Sequence, residues 1–226
     1  MANRYVIKFS KTGYIKYTSH LDLLRMFKRA FKKTNLGLCY SQGFNPHPKM
    51  GFAQPLSLGY IGRNELIEFE TERPHIPEEI LQKMQGQMPA GIGIVSCAKM
   101  DASIKSLASA ADSADYIIWI LTEQSEKTLR AALRDYLQQP QILAMKRMKK
   151  TKKEEPVDIK RMIRRMEITK LGDFARIDAL LDCGSQSNCS PELVIASFCR
   201  FAGIDTPRWN VEVERKNINF VSKLQF

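Results

Sequence analysis

The sequence contains no uncharged apolar stretch close to the ~20 residues that a membrane-spanning helix needs. Its N-terminus also lacks the apolar segment and the small-residue cleavage site of a secretory signal, because residues 1–6 enter a strand-like alternation directly. The five cysteines are odd in number, widely spread and without a CxxC pair, which argues against a disulfide framework and a zinc ribbon. We therefore expect a cytoplasmic protein with reduced thiols and no membrane partner.

Negative charge is scarce relative to positive charge. The 226 residues include 35 Lys and Arg against 24 Asp and Glu, which gives a formal net charge of +11. Hydrophobic residues make up 44% and charged residues 26%, as in an ordinary globular protein of one large or two small domains. A cation excess of this size attracts polyanions, either nucleic acid or an anionic membrane surface. RNA is the expected partner, and non-specific, ribosome-like adhesion through the excess positive charge is the alternative.

The hydrophobic periodicity predicts an α+β fold built from two tandem ferredoxin-like units, each with the order β-α-β-β-α-β. The first unit spans residues 1–100, a connector rich in Ala and Ser spans 101–114, and the second unit spans 115–226 with a basic insertion at 146–165. The two halves share this order but no residue pattern, so they indicate duplicated architecture rather than a sequence repeat. Residues 14–17 are predicted to form an extended piece after the first strand.

The helix that follows Ser19 has the clearest local signals. Ser19 is its expected N-cap with Asp22 as the capping-box partner, and apolar residues then recur at helical spacing. Cations at steps of three and four form a stripe beside the apolar face, and such a stripe can follow a phosphate backbone. An ordinary solvated helix face is the alternative. The residues of this helix predicted to bind RNA are Arg25, Lys28, Arg29, Lys32 and Lys33.

Residues 146–153 carry a second concentration of positive charge. This run is expected to supply salt-dependent affinity without base selectivity, because phosphate contacts carry no sequence information. A hairpin tip without any ligand is the alternative. The cations of this run predicted to bind RNA are Lys146, Arg147, Lys149, Lys150, Lys152 and Lys153.

Residues 40–49 combine aromatic rings, amides, an imidazole and a lysine in a loop that two prolines keep out of regular structure. Phe44 or Tyr40 is suited to stack on an unpaired base, and Lys49 or Gln42 to contact phosphate or base edges. In the alternative interpretation Phe44 fills the core and Asn45 caps a turn. The residues of this loop predicted to bind RNA are Tyr40, Gln42, Phe44, Asn45, His47 and Lys49.

His20 lies at the start of the predicted helix, where backbone N–H groups attract anions and an imidazole with a pKa of about 6.5 can exchange a proton. His20 is therefore a candidate catalytic acid or base of a metal-independent ribonuclease, although no second histidine or carboxylate is locally paired with it. A hydrogen-bonded structural histidine is the alternative. The spacing of His20, His47 and the cysteines indicates no metal site.

The helix and the loop together form a long motif. Residues 17–25 read Tyr-Thr-Ser-His-Leu-Asp-Leu-Leu-Arg, Arg29-Ala30 follow, residues 40–49 read Tyr-Ser-Gln-Gly-Phe-Asn-Pro-His-Pro-Lys, and Phe52-Ala53 come next. On these residues the chain resembles the radical SAM-linked protein family, a DUF2344-like domain of unknown function. The resemblance covers nearly the whole chain, because residues 158–160 also resemble the second half of the family pattern.

The resemblance implies a partner rather than a reaction. In that family the domain accompanies a radical S-adenosylmethionine protein with a cobalamin-binding-like region, so the iron-sulfur cluster, S-adenosylmethionine and cobalamin belong to the partner. This chain has no CxxxCxxC motif, and we expect no cofactor and no radical chemistry in it. Gly51 and Ser57 stand where the family pattern has a serine and a proline, and neither change removes an evident chemical group.

Three functions remain open on the sequence. The leading hypothesis is a non-catalytic accessory protein that binds tRNA or rRNA and presents it to a radical SAM modification enzyme. The second is a ribonuclease that uses His20, because the Ser-His-Leu-Asp segment and the predicted fold are similar to those of CRISPR repeat-processing endonucleases. The third is a protein-only docking subunit of the radical SAM partner, with the loop around Phe44 as its contact surface.

Overall fold

A computed structural model describes residues 3–101, 103–148 and 151–221 of the chain. Helices are combined with antiparallel strand pairs in this part of the chain, which confirms the predicted α+β class. Within the same three ranges, no helix is both long and apolar enough to span a membrane.

Two compact units divide the chain. Unit 1 comprises Met1–Ala111 and Asn217–Phe226, and unit 2 comprises Asp112–Lys216. The sequence assigned the whole C-terminal segment to the second unit, whereas Ile218 packs in an apolar cluster of unit 1 that includes Val6. Burial of these side chains away from water is the force that holds this part of the last strand in unit 1.

Unit 1 is an antiparallel sheet with helices between its strands. Its strands are β1 (Asn3–Lys11), β2 (Met50–Phe52), β3 (Ile61–Thr71) and β4 (Ile92–Lys99), and its helices are α1 (His20–Thr34), α2 (Pro77–Gln85) and α3 (Leu107–Ala110). Strand β1 lies between β4 and β3. Strand β2 pairs with the other edge of β3, because Ile67 and Phe69 have partners on both β1 and β2.

Aromatic rings fix α1 on this sheet. The ring of Phe27 lies 4.9 Å from that of Phe9 on β1, and the ring of Phe31 lies 4.5 Å from that of Phe69 on β3. All four side chains are buried, and full burial of a side chain of this size stabilises the fold by about 1.5–3 kcal/mol. Their spacing along α1 follows the helical period that the sequence predicted.

The segment before α1 differs from the prediction. Gly13–Tyr17 forms a 3₁₀ helix rather than an extended piece, and the N–H of Thr18 closes it by donating to the carbonyl of Ile15 at 2.9 Å. The alternating pattern of residues 14–17 therefore does not produce a strand here. Both tyrosines, Tyr14 and Tyr17, are exposed instead of alternating between the two faces of a sheet.

Unit 2 repeats the alternation of strands and helices with one added hairpin. Its elements are β5 (Ala111–Leu121), α4 (Glu126–Gln138), β6 (Leu143–Arg147), β7 (Glu154–Asp158), β8 (Ile163–Leu171), β9 (Phe174–Asp182), α5 (Pro191–Ala202) and β10 (Val211–Phe220). The strands β10, β5, β9 and β8 are neighbours in that order, and β6 pairs only with β7 among the described strands. The sequence offered a hairpin tip at residues 146–153 only as an alternative and predicted neither of its strands.

The helices of unit 2 begin at serine caps and pack against each other. The hydroxyl of Ser125 accepts from the N–H of Thr128, as expected for an N-cap. Between the two helices, the hydroxyls of Tyr136 and Ser197 are 2.7 Å apart, and the ring of Tyr136 packs edge-on against Phe198 at 5.3 Å. The phenol is thus buried with a hydrogen-bond partner, which offsets the cost of removing it from water.

Replacement of two glycines of unit 1 tests how tightly the 3₁₀ segment is packed. Gly13 and Gly91 both have positive φ angles, +61° and +94°, but a Cβ atom on Gly91 would lie 2.6 Å from the carbonyl oxygen of Thr12 and 2.8 Å from Cγ2 of Ile15. We expect Gly13→Ala to lower the free energy of unfolding by about 1 kcal/mol and Gly91→Ala by about 3 kcal/mol or more. Urea unfolding measures both, and equal losses would contradict the packing described here.

Candidate nucleic-acid interface

The loop predicted to bind RNA protrudes from an interrupted edge strand. The N–H of Cys39 donates to the carbonyl of Glu70 on β3 at 2.9 Å, and the N–H of Glu70 donates to the carbonyl of Lys49 at 3.0 Å. Residues 38–40 and β2 are therefore two parts of one strand beside β3, and residues 40–48 form an excursion between them. The position of the loop is set by the sheet and not by the loop itself.

Hydrogen bonds close the neck of this loop. The N–H of Lys49 donates to the carbonyl of Cys39 at 2.8 Å, and the N–H of Ser41 donates to the carbonyl of His47 at 2.8 Å. The N–H of His47 in turn donates to the hydroxyl of Ser41 at 3.0 Å. A loop tied at its base loses little conformational entropy when a ligand binds at its tip.

The tip of the loop presents an aromatic ring to solvent. Phe44 is fully exposed to solvent, so the interpretation that it fills the core is wrong. Gln42, Asn45 and His47 are also exposed, and Tyr40 at the neck is 46% exposed. The ring of Phe44 is therefore available for stacking, with amide groups on both sides of it in sequence.

Lys49 has a different position from the one expected of a phosphate contact. Its ammonium group donates to a carboxylate oxygen of Glu70 at 2.9 Å, and this hydrogen bond and charge raise the pKa of Lys49. The same carboxylate lies 3.9 Å from the guanidinium of Arg4. Lys49 thus closes the base of the loop as well as carrying charge there.

The cap of α1 has the predicted geometry. The hydroxyl of Ser19 accepts from the N–H of Asp22 at 3.2 Å and donates to its carboxylate at 2.7 Å. Arg25 donates to the other carboxylate oxygen at 2.9 Å. The hydrogen bonds from Ser19 and then Arg25 lower the pKa of Asp22, so the capping carboxylate is ionised. Arg25 is accordingly engaged with the cap.

The other four cations of α1 are exposed and lie beside the edge strand. Among the described residues, none of these four has a carboxylate in ion-pair contact, and they are Lys28, Arg29, Lys32 and Lys33. The ring of His20, the first residue of α1, contacts Phe52 of β2. The N-terminal end of the helix that carries these cations is therefore beside the strand from which the loop protrudes.

His20 packs as an aromatic side chain. Its ring lies 5.2 Å from that of Phe52 in an edge-on contact. Partial burial, and then the charge of Lys11, lower the pKa of His20, so the imidazole is neutral at pH 7. The carboxylate of Asp22 is directed to Ser19 and Arg25 and does not orient the imidazole. A catalytic role of His20 stays a prediction.

Two exposed tyrosines near α1 were not among the predicted residues. Tyr14 is 95% exposed, and Tyr17 is exposed beside Gly59, whose N–H donates to the carbonyl of Lys16 at 2.9 Å. The ammonium of Lys16 lies 5.4 Å from the centre of the Tyr17 ring. The signal that could have found them is Gly13, which interrupts the strand pattern just before them.

The second basic run lies on the β6–β7 hairpin. Lys146 stands opposite Glu155 and Arg147 opposite Glu154 in the antiparallel register, which is a favourable arrangement of opposite charges. The turn that follows has Lys152 at a φ of +60° and continues to Lys153, both exposed. Lys149 and Lys150 lie outside the described residues.

Burial favours the protonated form of three of the cysteine thiols. Burial raises the pKa of Cys97 and Cys189 to about 12 and that of Cys199 to about 11. A cysteine with so high a pKa is protonated at neutral pH and is a poor nucleophile and metal ligand. Across the described ranges, no three His, Cys, Asp or Glu side chains are grouped closely enough to hold a metal ion.

The sequence pattern of one protein family matches most of the chain. Residues 4–191 match the family described as "Uncharacterized protein conserved in bacteria (DUF2344)". The chain belongs to this family. The match to DUF2344 covers unit 2 as far as the start of α5 and includes the loop and the whole of α1. No protein of curated function matches the chain in sequence.

Two solved structures were compared with this DUF2344 protein. One is described as "Crystal Structure of a Cbf5-Nop10-Gar1 Complex", with a TM-score of 0.56 and 11% identity over 95% of this chain and 48% of the other. This chain therefore spans about half the length of that protein, and the likeness supports the α+β fold alone. The other is described as "Crystal Structure of an Unknown Protein from Galdieria sulphuraria", with 11% identity over 98% of this chain and 100% of the other. Its TM-score of 0.30 is too low to support a shared fold.

The lowered pKa of His20 gives a prediction for stability against pH. Protonation of His20 is less favourable in the folded state than in the unfolded state, so stability is lost as the pH falls below the ordinary pKa of 6.5. We expect the urea midpoint to fall between about pH 7.5 and about pH 5, and to fall less in His20→Gln. The control His47→Gln changes an exposed side chain and is expected to follow the wild type. Identical pH dependence in all three proteins would contradict the assignment.

Proposed function

We propose that this DUF2344 protein is a cytoplasmic, non-catalytic accessory protein that binds RNA through unit 1. The RNA contact consists of the tip of the 40–48 loop and the four exposed cations of α1. The tip stacks on unpaired bases, and the cations contact the phosphates of the same strand. Single-stranded parts of a tRNA or rRNA, such as a loop or an end, have both features.

The observation that carries this proposal is the exposed ring of Phe44 on a loop that is closed by backbone hydrogen bonds. A base provides a flat apolar face. When a base stacks on an exposed ring, apolar surface is buried and no existing contact of the ring has to be broken. The neck at Ser41 and His47 keeps the ring in one place relative to β3. Stacking of this kind tolerates any base, so we expect weak sequence preference.

The cations of α1 provide the sequence-independent part of the affinity. Binding of a polyanion releases the counterions condensed on it, which makes affinity depend strongly on salt. Lys28 and Lys32 are exposed on the helix whose first residue, His20, contacts the edge strand at Phe52, and in this proposal they act together with the loop. The cations of the β6–β7 hairpin add to the attraction without a stacking group beside them in sequence.

The proposed partner is a radical SAM modification enzyme, and this part rests on the family resemblance of the motif. In this proposal the accessory protein holds the RNA while the iron-sulfur cluster, S-adenosylmethionine and cobalamin are bound by the partner. The ring of His20 packs edge-on against Phe52, and the nearby carboxylate of Asp22 is directed to Ser19 and Arg25 instead of to the imidazole, which favours this interpretation over a ribonuclease.

We also infer that each unit has the ferredoxin-like fold. In unit 1 the strand order is β4-β1-β3-β2, and in unit 2 it is β10-β5-β9-β8. Counted within each unit, both correspond to the order 4-1-3-2, with the first strand between the fourth and the third. This order, with helices after the first and third strands, is what a split β-α-β repeat requires.

Charge reversal on α1 tests the phosphate contacts. In Lys28→Glu/Arg29→Glu/Lys32→Glu we expect weaker binding of polyuridine RNA and a salt slope lower by about 2, because each phosphate contact in a single strand contributes about 0.7. Fluorescence anisotropy from about 50 mM to about 200 mM salt measures the slope. The matched control Lys127→Glu/Arg130→Glu/Arg134→Glu reverses three exposed cations of α4. Equal losses in both triple variants would show that only net charge matters and would contradict the proposed surface.

Replacement of Phe44 tests the stacking contact separately. We expect Phe44→Ala to weaken polyuridine binding by about 1–3 kcal/mol, with an unchanged salt slope, because stacking involves no counterion release. Phe44→Trp keeps a stacking surface and is expected to bind at least as tightly as the wild type. Since the side chain is fully exposed, thermal unfolding of Phe44→Ala is expected to match the wild type. Unchanged affinity of Phe44→Ala would remove the loop from the interface.

A further inference from the structure

A second surface of opposite charge lies on unit 2. An open cleft of about 560 Å³ is lined by Trp119, Leu121, Phe174, Trp209, Asn210, Glu212 and Glu214. Three aromatic rings and two carboxylates line it, although the whole protein carries a net charge of +11. The combination differs from the surface on unit 1, where aromatic rings are accompanied by cations.

The cleft lies on one face of the sheet because of strand periodicity. Trp119 and Leu121 are two residues apart on β5, and Glu212 and Glu214 are two residues apart on β10, so each pair points to the same side. The intervening residue Ile120 is fully buried on the opposite face. The cleft is therefore a built feature of neighbouring strands and not a gap between loops.

An adjoining cleft extends this surface. It has a volume of about 630 Å³ and shares Leu121 and Asn210 with the first. Its lining adds the carboxylates of Glu123, Asp173 and Asp205. Among the described residues that line the two clefts, there is no lysine or arginine. The two adjoining clefts are called the groove below, and three aromatic rings and five carboxylates line it.

The structure already places a cation against one of the rings. The guanidinium carbon of Arg176 lies 5.7 Å from the centre of the Trp119 ring, within the range of a cation–π contact. Asp178 holds the guanidinium in place through a hydrogen bond of 2.8 Å. The ring of Trp209, by contrast, is 85% exposed. A second guanidinium stacked on Trp209 would be close to the carboxylates of β10, which match its hydrogen-bonding fork.

We propose that this groove, defined by Trp209, Glu212 and Glu214 with the adjoining carboxylates, binds an extended arginine-containing segment of a partner protein. Charge complementarity carries the choice of occupant, because carboxylates repel the phosphates of nucleic acid and attract guanidinium groups. An extended segment, unlike a single residue, can contact both clefts, because they adjoin at Leu121 and Asn210. This partner site is separate from the RNA surface proposed on unit 1 and does not depend on it.

The two tryptophans of the chain make the test specific. Both Trp119 and Trp209 line the groove, so the tryptophan fluorescence of the full-length protein reports on this site alone. Acetylated hexa-arginine amide is titrated as the probe, with hexa-glutamate as the charge control. We expect a saturable change of emission with the arginine peptide and none with the glutamate peptide, even though the net charge of the protein repels the former.

Variants localise the effect. We expect Glu212→Gln/Glu214→Gln to weaken peptide binding by about tenfold or more, whereas Glu126→Gln/Asp135→Asn, which removes the same charge from the exposed surface of α4, is expected to bind as the wild type does. Trp209→Ala removes an exposed ring, so it is expected to fold normally and to lose affinity. No saturable change, or equal affinity in both double variants, would overturn the proposal.

Other occupants are distinguished in the same assay. Spermidine that produces the same change at the same concentration would assign the groove to small amines and overturn the proposal of a protein segment. Sedimentation of the wild type as an oligomer that Glu212→Gln/Glu214→Gln dissociates would assign it to a second copy of this chain. An equal change of emission with polyuridine RNA would assign it to nucleic acid, which also contradicts the proposal.

Discussion

The backbone of Glu70 is the constraint on which the candidate RNA surface depends. Its N–H and carbonyl bond to Lys49 and Cys39, so two stretches of chain with nine residues between them occupy one strand position. The residues between them have no place in the sheet and must leave it as a loop. The same edge strand carries Phe52, which contacts His20 and Phe27 of α1. Loop, strand and helix are thus parts of one packed arrangement.

Each unit exposes an aromatic ring, and the charges that go with it differ. The exposed ring of Phe44 belongs to the same unit as the exposed cations of α1, whereas the exposed ring of Trp209 lines a cleft with Glu212 and Glu214. An aromatic ring can make apolar contact with a ligand of either charge, whereas the neighbouring charged side chains decide whether an anionic or a cationic ligand is attracted. The net charge of the whole chain describes only the first of these surfaces.

Sequence reasoning succeeded where the signal is local. The capping pair Ser19 and Asp22 and the spacing of Phe27 and Phe31 define α1 without any tertiary information. It failed for residues 14–17, where alternation suggested a strand but Gly13 allows a tight turn. The strands of the β6–β7 hairpin, whose tip was only an alternative on the sequence, were not predicted because they are highly charged and depend on cross-strand pairs such as Lys146 and Glu155. The groove of unit 2 unites three separate strands, which periodicity alone does not bring together.

Both units have an additional segment at the equivalent position, after their first helix. The 40–48 loop follows the first helix of unit 1 and precedes β3, and the β6–β7 hairpin follows the first helix of unit 2 and precedes β8. The 40–48 loop has no buried side chain, whereas the hairpin includes the buried Ala144 and β6 contacts α5. The 40–48 loop is therefore the grafting point of the two. A foreign loop or a label exchanged for it leaves the packed layers of unit 1 untouched, which makes that unit a scaffold for display.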